Sequence, residues 1–198
     1  MLSTRTAIPL EDLADLLAGA PTKSARAEAG VGAISVITVR ALRAGQIDPE
    51  EIGYAHSMTS ETARYRVATG DVLVPARSTF FAAAVVPPEL HGIVFNSTLI
   101  RIRCNDRLRP RVLAAYLCHP AGLAAIEAIS QSGAVQMNIT VRAMRELLIP
   151  VPPAAEQERL ASMLEAADAA YTAALQSAER RRRIAGDVVM HAMAGADH

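Results

Sequence analysis

The sequence predicts an α+β protein: a β-rich body with short helices, followed by one long C-terminal helix. Three observations carry this. Short apolar runs bounded by Gly, Pro and Asn-Asp fill residues 33–108, and proline-broken helical periodicity follows Pro110. Residues 154–194 then contain no proline and a single interior glycine, Gly186.

The elements follow in chain order. Leu10, Leu13, Leu16 and Leu17 recur at helical spacing before Gly19 and Pro21, predicting a short helix over residues 8–18 and a loop from Gly19 to Gly32. Strands are expected at Ile34–Val39, Val72–Pro75, Ala82–Val86 and Leu99–Arg103. Alternation in the last of these puts Ile100, Ile102 and Cys104 on one face and Arg101 and Arg103 on the other, giving one buried and one basic face. Beyond Pro110, Val112, Leu113, Tyr116 and Leu117 share a helical face. Pro120 breaks that helix, and Leu123, Ile126 and Ile129 form a second one ending at Gly133. Thr140 is placed to cap a short helix from Val141 to Leu147, after which Ile149 to Pro153 run extended.

A helix of about 40 residues from Ala154 would span about 60 Å, longer than a small globule needs. Steps of four and three from Leu160 give Leu164, Ala167, Tyr171, Ala174, Ala178, Arg181, Ala185, Val188 and Ala192. This is a heptad seam interrupted by one charge. Its partner is either a second helix or the protein's own body; the alanine content favours close helix–helix packing.

Composition excludes more than it selects. Net charge is zero, yet of 20 basic residues only Lys23 is lysine, and arginine is the better reader of base edges and phosphate. Residues before the tail carry 15 basic and 13 acidic groups and the tail 5 and 7, too small an asymmetry to decide anything. Acids near the N-terminus and the lack of any run of about 18 apolar residues point to a cytoplasmic protein. Cys104 and Cys118, read as buried thiols, have neither disulfide nor zinc-ligand spacing. No phosphate-binding loop, dinucleotide fingerprint, zinc-protease helix or nucleophile elbow occurs. The Pro-Pro pairs follow valine, unlike a base-flipping methyltransferase signature, and Lys23 precedes nearly every acid, unlike a common metal-dependent nuclease. His56, His91, His119, His191 and His198 are scattered, so no catalytic residue and no metal site is assigned.

Four stretches, in order, resemble the specificity subunits of Type I restriction-modification enzymes. Pro9 to Leu13 leading into Gly19-Ala20-Pro21-Thr22-Lys23 is similar to the family's opening helix and its Gly-x-x-Pro-x-Lys-type turn. Thr69-Gly70-Asp71-Val72-Leu73-Val74-Pro75-Ala76-Arg77-Ser78 resembles its Gly-Asp-(Ile/Val)-Leu strand and Arg-Gly or Arg-Ser loop. Asn96 with its following strand, and later Ser132 to Ile139, look like the approach to the final strand. Leu147-Leu148-Ile149-Pro150-Val151-Pro152-Pro153-Ala154-Ala155-Glu156-Gln157 is similar to the junction joining a recognition domain to a long helix.

The resemblance implies a half-length form: a single target-recognition domain (1–149), a proline-rich hinge (150–155) and a helix (156–194) for dimerisation as an antiparallel coiled coil and for docking methyltransferase subunits. Implied partners are double-stranded DNA, methyltransferase subunits, a second copy or another half-subunit, and a restriction subunit where one exists. S-adenosylmethionine is expected in the methyltransferase partner, with no cofactor in this chain. The residues expected to contact DNA are Lys23, Arg77, Ser78, Thr79, Gln131, Ser132, Gln136 and Asn138, since arginine suits guanine and amides suit adenine. Those expected at the dimer interface are Leu160, Leu164, Ala167, Tyr171, Ala174, Ala178, Ala185 and Val188. Arg101, Arg103, Arg107, Arg109 and Arg111 form either a phosphate track or a solvated face, and Arg180–Arg183 either a solvated run or a contact for an acidic partner. Other readings are a coiled-coil adaptor, a stand-alone repressor, and a specificity-subunit mimic that inhibits restriction.

Overall fold

The structure, a computed structural model, describes residues 7–22, 33–43, 45–55, 60–130 and 136–194. The chain divides into two compact units, Met1–Glu158 and Arg159–His198. The strands are β1 (Ala7–Pro9), β2 (Ala14–Ala18), β3 (Ile34–Ile37), β4 (Leu42–Arg43), β5 (Gln46–Ile47), β6 (Gly53–Ala55), β7 (Val72–Pro75), β8 (Arg77–Ser78), β9 (Ala84–Val85), β10 (Val94–Phe95), β11 (Leu99–Cys104), β12 (Met137–Asn138) and β13 (Leu148–Pro150). The helices are α1 (Pro110–Cys118), α2 (Pro120–Ile129), α3 (Val141–Glu146) and α4 (Ala154–Ala194).

A four-stranded antiparallel sheet, β2-β11-β7-β9, organises the body. Strict alternation along β7 and β11 divides its side chains between two cores. Val72, Val74, Ile100 and Ile102 join Leu10, Leu13, Leu113, Leu117, Ile126 and Met144 on one face. Leu73 and Leu99 join Ile37, Leu42, Val86 and Phe95 on the other. Both faces are therefore covered, the second by the segment carrying β3, β4, β5 and β10. The face expected to be basic is covered at Arg101, while Arg103 near the strand end stays exposed. Arg101 is only 5% exposed and pairs with Asp15 on β2.

The residues expected as a helix at 8–18 form β1, a short 3-10 turn at Leu10–Asp12, and β2. Leucine spacing fits a helix, but strand β2 gains a full ladder against β11, from Ala18 opposite Ile100 to Ala14 opposite Cys104. Tertiary pairing overrides local periodicity there. Gly19 ends β2 where a Cβ would stand 2.0 Å from the Asn96 carbonyl oxygen, so only glycine permits this approach. Its N–H donates to Leu99 O at 3.1 Å.

Other boundaries lie close to expectation. Val39 falls in a 3-10 turn just past β3, β7 spans Val72–Pro75, and β9 is shorter than Ala82–Val86. Thr140 caps α3 by accepting from the Ala143 N–H at 3.1 Å, and Leu147 is its C-cap. The α1–α2 pair bends by 80° at Pro120, and α2 ends at Ile129 with Ser130 as its C-cap; Gly133 lies outside the described residues. That bent pair is apolar enough together to reach membrane-span composition, but Leu113, Leu117 and Ile126 line the core. Among the described residues no single helix is long and apolar enough to cross a membrane.

The proline segment is fastened to the body. Strand β13 pairs antiparallel with β1, Ala7 opposite Pro150, and Ile149 and Pro152 are buried. Gln157, at the start of α4, is 3% exposed. Its Oε1 accepts from the Arg109 N–H at 2.8 Å, and its Nε2 donates to Arg107 O and Pro152 O, each at 2.9 Å. Helix α4 then continues unbroken for 41 residues in all.

Candidate nucleic-acid interface

Just past β7 the chain leaves the central sheet at Ala76, whose N–H donates to Thr98 O at 2.8 Å. It then forms β8, which pairs antiparallel with β12: Arg77 opposite Asn138, Ser78 opposite Met137. Ile139 N–H closes the ladder on Ala76 O at 2.8 Å. Two segments about 60 residues apart thus meet through main-chain bonds. Directly opposed residues share a face, so Arg77 and Asn138 are neighbours, and Gln136, two residues before Asn138, follows on that face by alternation. Arg77, Thr79 and Gln136 are exposed and Asn138 is half-buried.

Ser78 and Met137 fall on the opposite face. Ser78 is 5% exposed, and its Oγ accepts from the Phe80 N–H at 3.1 Å. Unlike Arg77, Thr79 and Gln136, Ser78 is therefore buried in this structure, with its hydroxyl oxygen accepting within the turn that follows β8. Phe80 is 44% exposed while Phe81 packs against the core. Lys23, Gln131 and Ser132 lie outside the described residues.

Arg101 and Arg103 on β11, and Arg109 after it, are tied to carboxylates. Arg103 makes a two-pronged pair with Asp71, Nε to Oδ1 at 2.7 Å and Nη2 to Oδ2 at 2.8 Å. Asp71 is buried and also accepts from the Ala68 N–H at 2.7 Å. With Gly70 at φ +86°, this explains the Gly-Asp start of β7: glycine takes the left-handed turn and the carboxylate anchors the neighbouring strand. The hydrogen bonds to Asp71 hold the Arg103 guanidinium above its ordinary value against the opposing effect of burial. Burial pushes the adjacent Cys104 thiol up to about 12, with the Asp71 charge adding to it. Both cysteines are half-buried and unbridged, less enclosed than expected. Arg109 pairs with Glu158 at 2.6 Å, and Arg107 Nη1 lies 3.5 Å from Asp12 O. The phosphate-track reading therefore loses Arg101, Arg103 and Arg109, whose charges are matched internally.

On α4, Leu160 and Leu164 are half-buried, Ala167, Ala174, Ala178 and Ala185 are exposed, and Tyr171 and Val188 are each 62% exposed. Arg180–Arg183 are exposed. His119 caps α2 by accepting from the Ala121 N–H at 3.4 Å, His91 accepts from the Thr69 N–H at 3.4 Å, and His191 is exposed in the last turn of α4. His56 and His198 lie outside the described residues. Among the described residues no group of three or more His, Cys, Asp or Glu is placed to hold a metal.

Sequence reasoning missed Asp71, Arg103 and Gln157 as framework, and Phe80 as an exposed side chain of this edge. Motif reading isolated Gly70-Asp71 and Glu156-Gln157, but the partners Arg103 and Arg107–Arg109 are distant in sequence.

The fold is that of restriction-modification specificity subunits. The HsdS subunit from Thermoanaerobacter tengcongensis matches with a TM-score of 0.59 and 18% identity, over 87% of this chain and 39% of that one. The S subunit of a Type I system from M. genitalium matches with a TM-score of 0.53 and 16% identity, over 85% and 41%. A structure addressing complex assembly and conformational transition of the type I R-M system matches with a TM-score of 0.62 and 20% identity, over 100% and 52%. Residues 6–180 match the sequence family of the Type I restriction modification DNA specificity domain, and the chain belongs to that family. It spans between 39% and 52% of the length of these structural relatives. No curated protein matches it in sequence.

Proposed function

We propose that this chain reads one half of a bipartite DNA target within a Type I restriction-modification complex, without catalysing a reaction itself. The observation that carries the reading is the β8–β12 ladder, which brings Arg77, Gln136 and Asn138 onto one face with Thr79 beside them. A guanidinium fits guanine O6 and N7, and the amides fit adenine N6 and N7. Lys23, Gln131 and Ser132 extend the proposed reading surface in sequence. Some of these groups contact phosphate, since about half or more of protein–DNA hydrogen bonds do.

Helix α4 serves as the spacer and dimerisation element. Its apolar seam, Leu160 to Val188, pairs with a second copy or another half-subunit as an antiparallel coiled coil. Charge supports that direction: the first half holds Glu156, Glu158, Glu165 and Asp168 against Arg159, and the second holds Arg180–Arg183 against Glu179 and Asp187. Methyltransferase subunits dock on this scaffold and supply S-adenosylmethionine, and a restriction subunit joins where one is encoded.

A symmetric homodimer must recognise inverted-repeat half-sites, because a two-fold axis maps one reader onto the other. The test is single-molecule methylation mapping of cells carrying the methyltransferase subunit with and without this chain. The expected result is a bipartite motif that appears only with the chain. Arg77→Ala or Gln136→Ala should relax one half-site base while leaving the gap unchanged, and removing one heptad from the seam should shorten the gap alone. A motif independent of the chain refutes the reading; a non-palindromic motif refutes the homodimer and points to a different half-subunit.

A further inference from the structure

We propose that Phe80 is a base-reading residue that packs against the C5-methyl group of a thymine next to the base pair contacted by Arg77. The inference rests on the DNA-reading role of the β8–β12 edge proposed above. Among the described residues before α4, Phe80 and Leu148 are the large hydrophobic side chains left exposed, at 44% and 55%. Leu148 belongs to the β1–β13 ladder, opposite Pro9. Phe80 lies instead two residues past β8, the strand that carries Arg77 and pairs with Asn138.

The backbone at Phe80 is set, because its N–H is held by the buried Ser78 hydroxyl and Phe81 packs against the core. A tight turn with one phenylalanine anchored inward thus presents the other outward. Phenylalanine offers a base edge no hydrogen bond. In the major groove, where arginine and amides read guanine and adenine, the apolar group on a base edge is the thymine methyl. Phe80 therefore adds to that edge the one kind of base recognition that Arg77, Gln136 and Asn138 lack.

The experiment uses the complete complex of this chain with its methyltransferase subunit and a duplex bearing the mapped target. Each thymine of a half-site is replaced in turn by deoxyuridine, which removes the methyl group alone, and binding is followed by fluorescence anisotropy. The expected result is one position at which deoxyuridine weakens binding about three- to tenfold. Phe80→Ala should lose a similar factor on the thymine duplex and no longer distinguish the two bases, while Phe80→Leu keeps part of the discrimination. A cost below about twofold at every position, or a cost that persists unchanged in Phe80→Ala, overturns the proposal. So does a 2-aminopurine signal of local unstacking that Phe80→Ala abolishes, which would mark the ring as a wedge between base pairs. Absence of any specific binding by the unaltered complex overturns the DNA-reading role itself.

Discussion

Replacing Gln157 with leucine tests how α4 is joined to the body. The two side chains are similar in volume, so the cavity contribution is small and the change isolates the polar contacts. Three hydrogen bonds disappear, at 2.8, 2.9 and 2.9 Å, and the Arg109 N–H and the Arg107 and Pro152 carbonyls lose their partner around a site that is 3% exposed. A net hydrogen bond is worth about 1 kcal/mol, and a buried polar group left unpaired costs about 1–3 kcal/mol. Partial access of water to the Arg107–Arg109 loop limits the total to about 3–5 kcal/mol. For a chain of this size that lowers Tm by roughly 10 °C. Near-UV circular dichroism of the tyrosines is the suitable probe, because the far-UV signal is dominated by α4. Glu158→Ala serves as control: it removes the solvent-exposed pair with Arg109 and should cost less than about 1 kcal/mol. A Gln157→Leu protein within 1 kcal/mol of the unaltered one would refute the view that this side chain fastens the helix.

Asp71→Asn should destabilise the body by about 2–4 kcal/mol in guanidinium unfolding, since it breaks the paired contact with Arg103 while keeping side-chain size; a loss below 0.5 kcal/mol would show the pair to be dispensable. Gly19→Ala should prevent β2 from closing on Asn96, giving insoluble protein or a Tm at least 10 °C lower, whereas unchanged melting would contradict the 2.0 Å approach. At pH 8, iodoacetamide should modify Cys104 far more slowly in the folded protein than after denaturation, its thiol being held at about 12. Because folding raises that value from 9.0, the associated stability is full below about pH 9 and is lost as pH rises toward 12; an unchanged alkaline unfolding profile in Cys104→Ala would count against it.

The long helix and the proline-broken pair α1–α2 were legible because their signals are local: uninterrupted periodicity in one case, proline in the other. Residues 8–18 misled for the same reason, since leucine spacing says nothing about the β11 edge that captures Ala14–Ala18. Arg101 and Arg103 alternate as a solvated strand face should, yet Arg101 is buried, Arg103 alone stays exposed, and Asp15 and Asp71 receive their charges. At the candidate site, Arg77, Gln136 and Asn138 could be picked as polar loop residues, whereas their convergence depends on a two-residue ladder that no spacing announces. Ser78 was grouped with them because a serine hydroxyl suits a turn as well as a base, and its burial is visible only in the fold.

The ladder joining Arg77–Ser78 to Met137–Asn138 is made of peptide groups, and so are the bonds from Ala76 to Thr98 and Ile139 that frame it. Its geometry consequently does not depend on which side chains it displays outward. Replacements at positions 77, 136 and 138 leave the frame intact, so the outward face can drift through many combinations without crossing a folding threshold. On the proposed DNA-reading role of that face, a lineage carrying this fold can change what it recognises by point substitution, in small steps that selection against instability does not see.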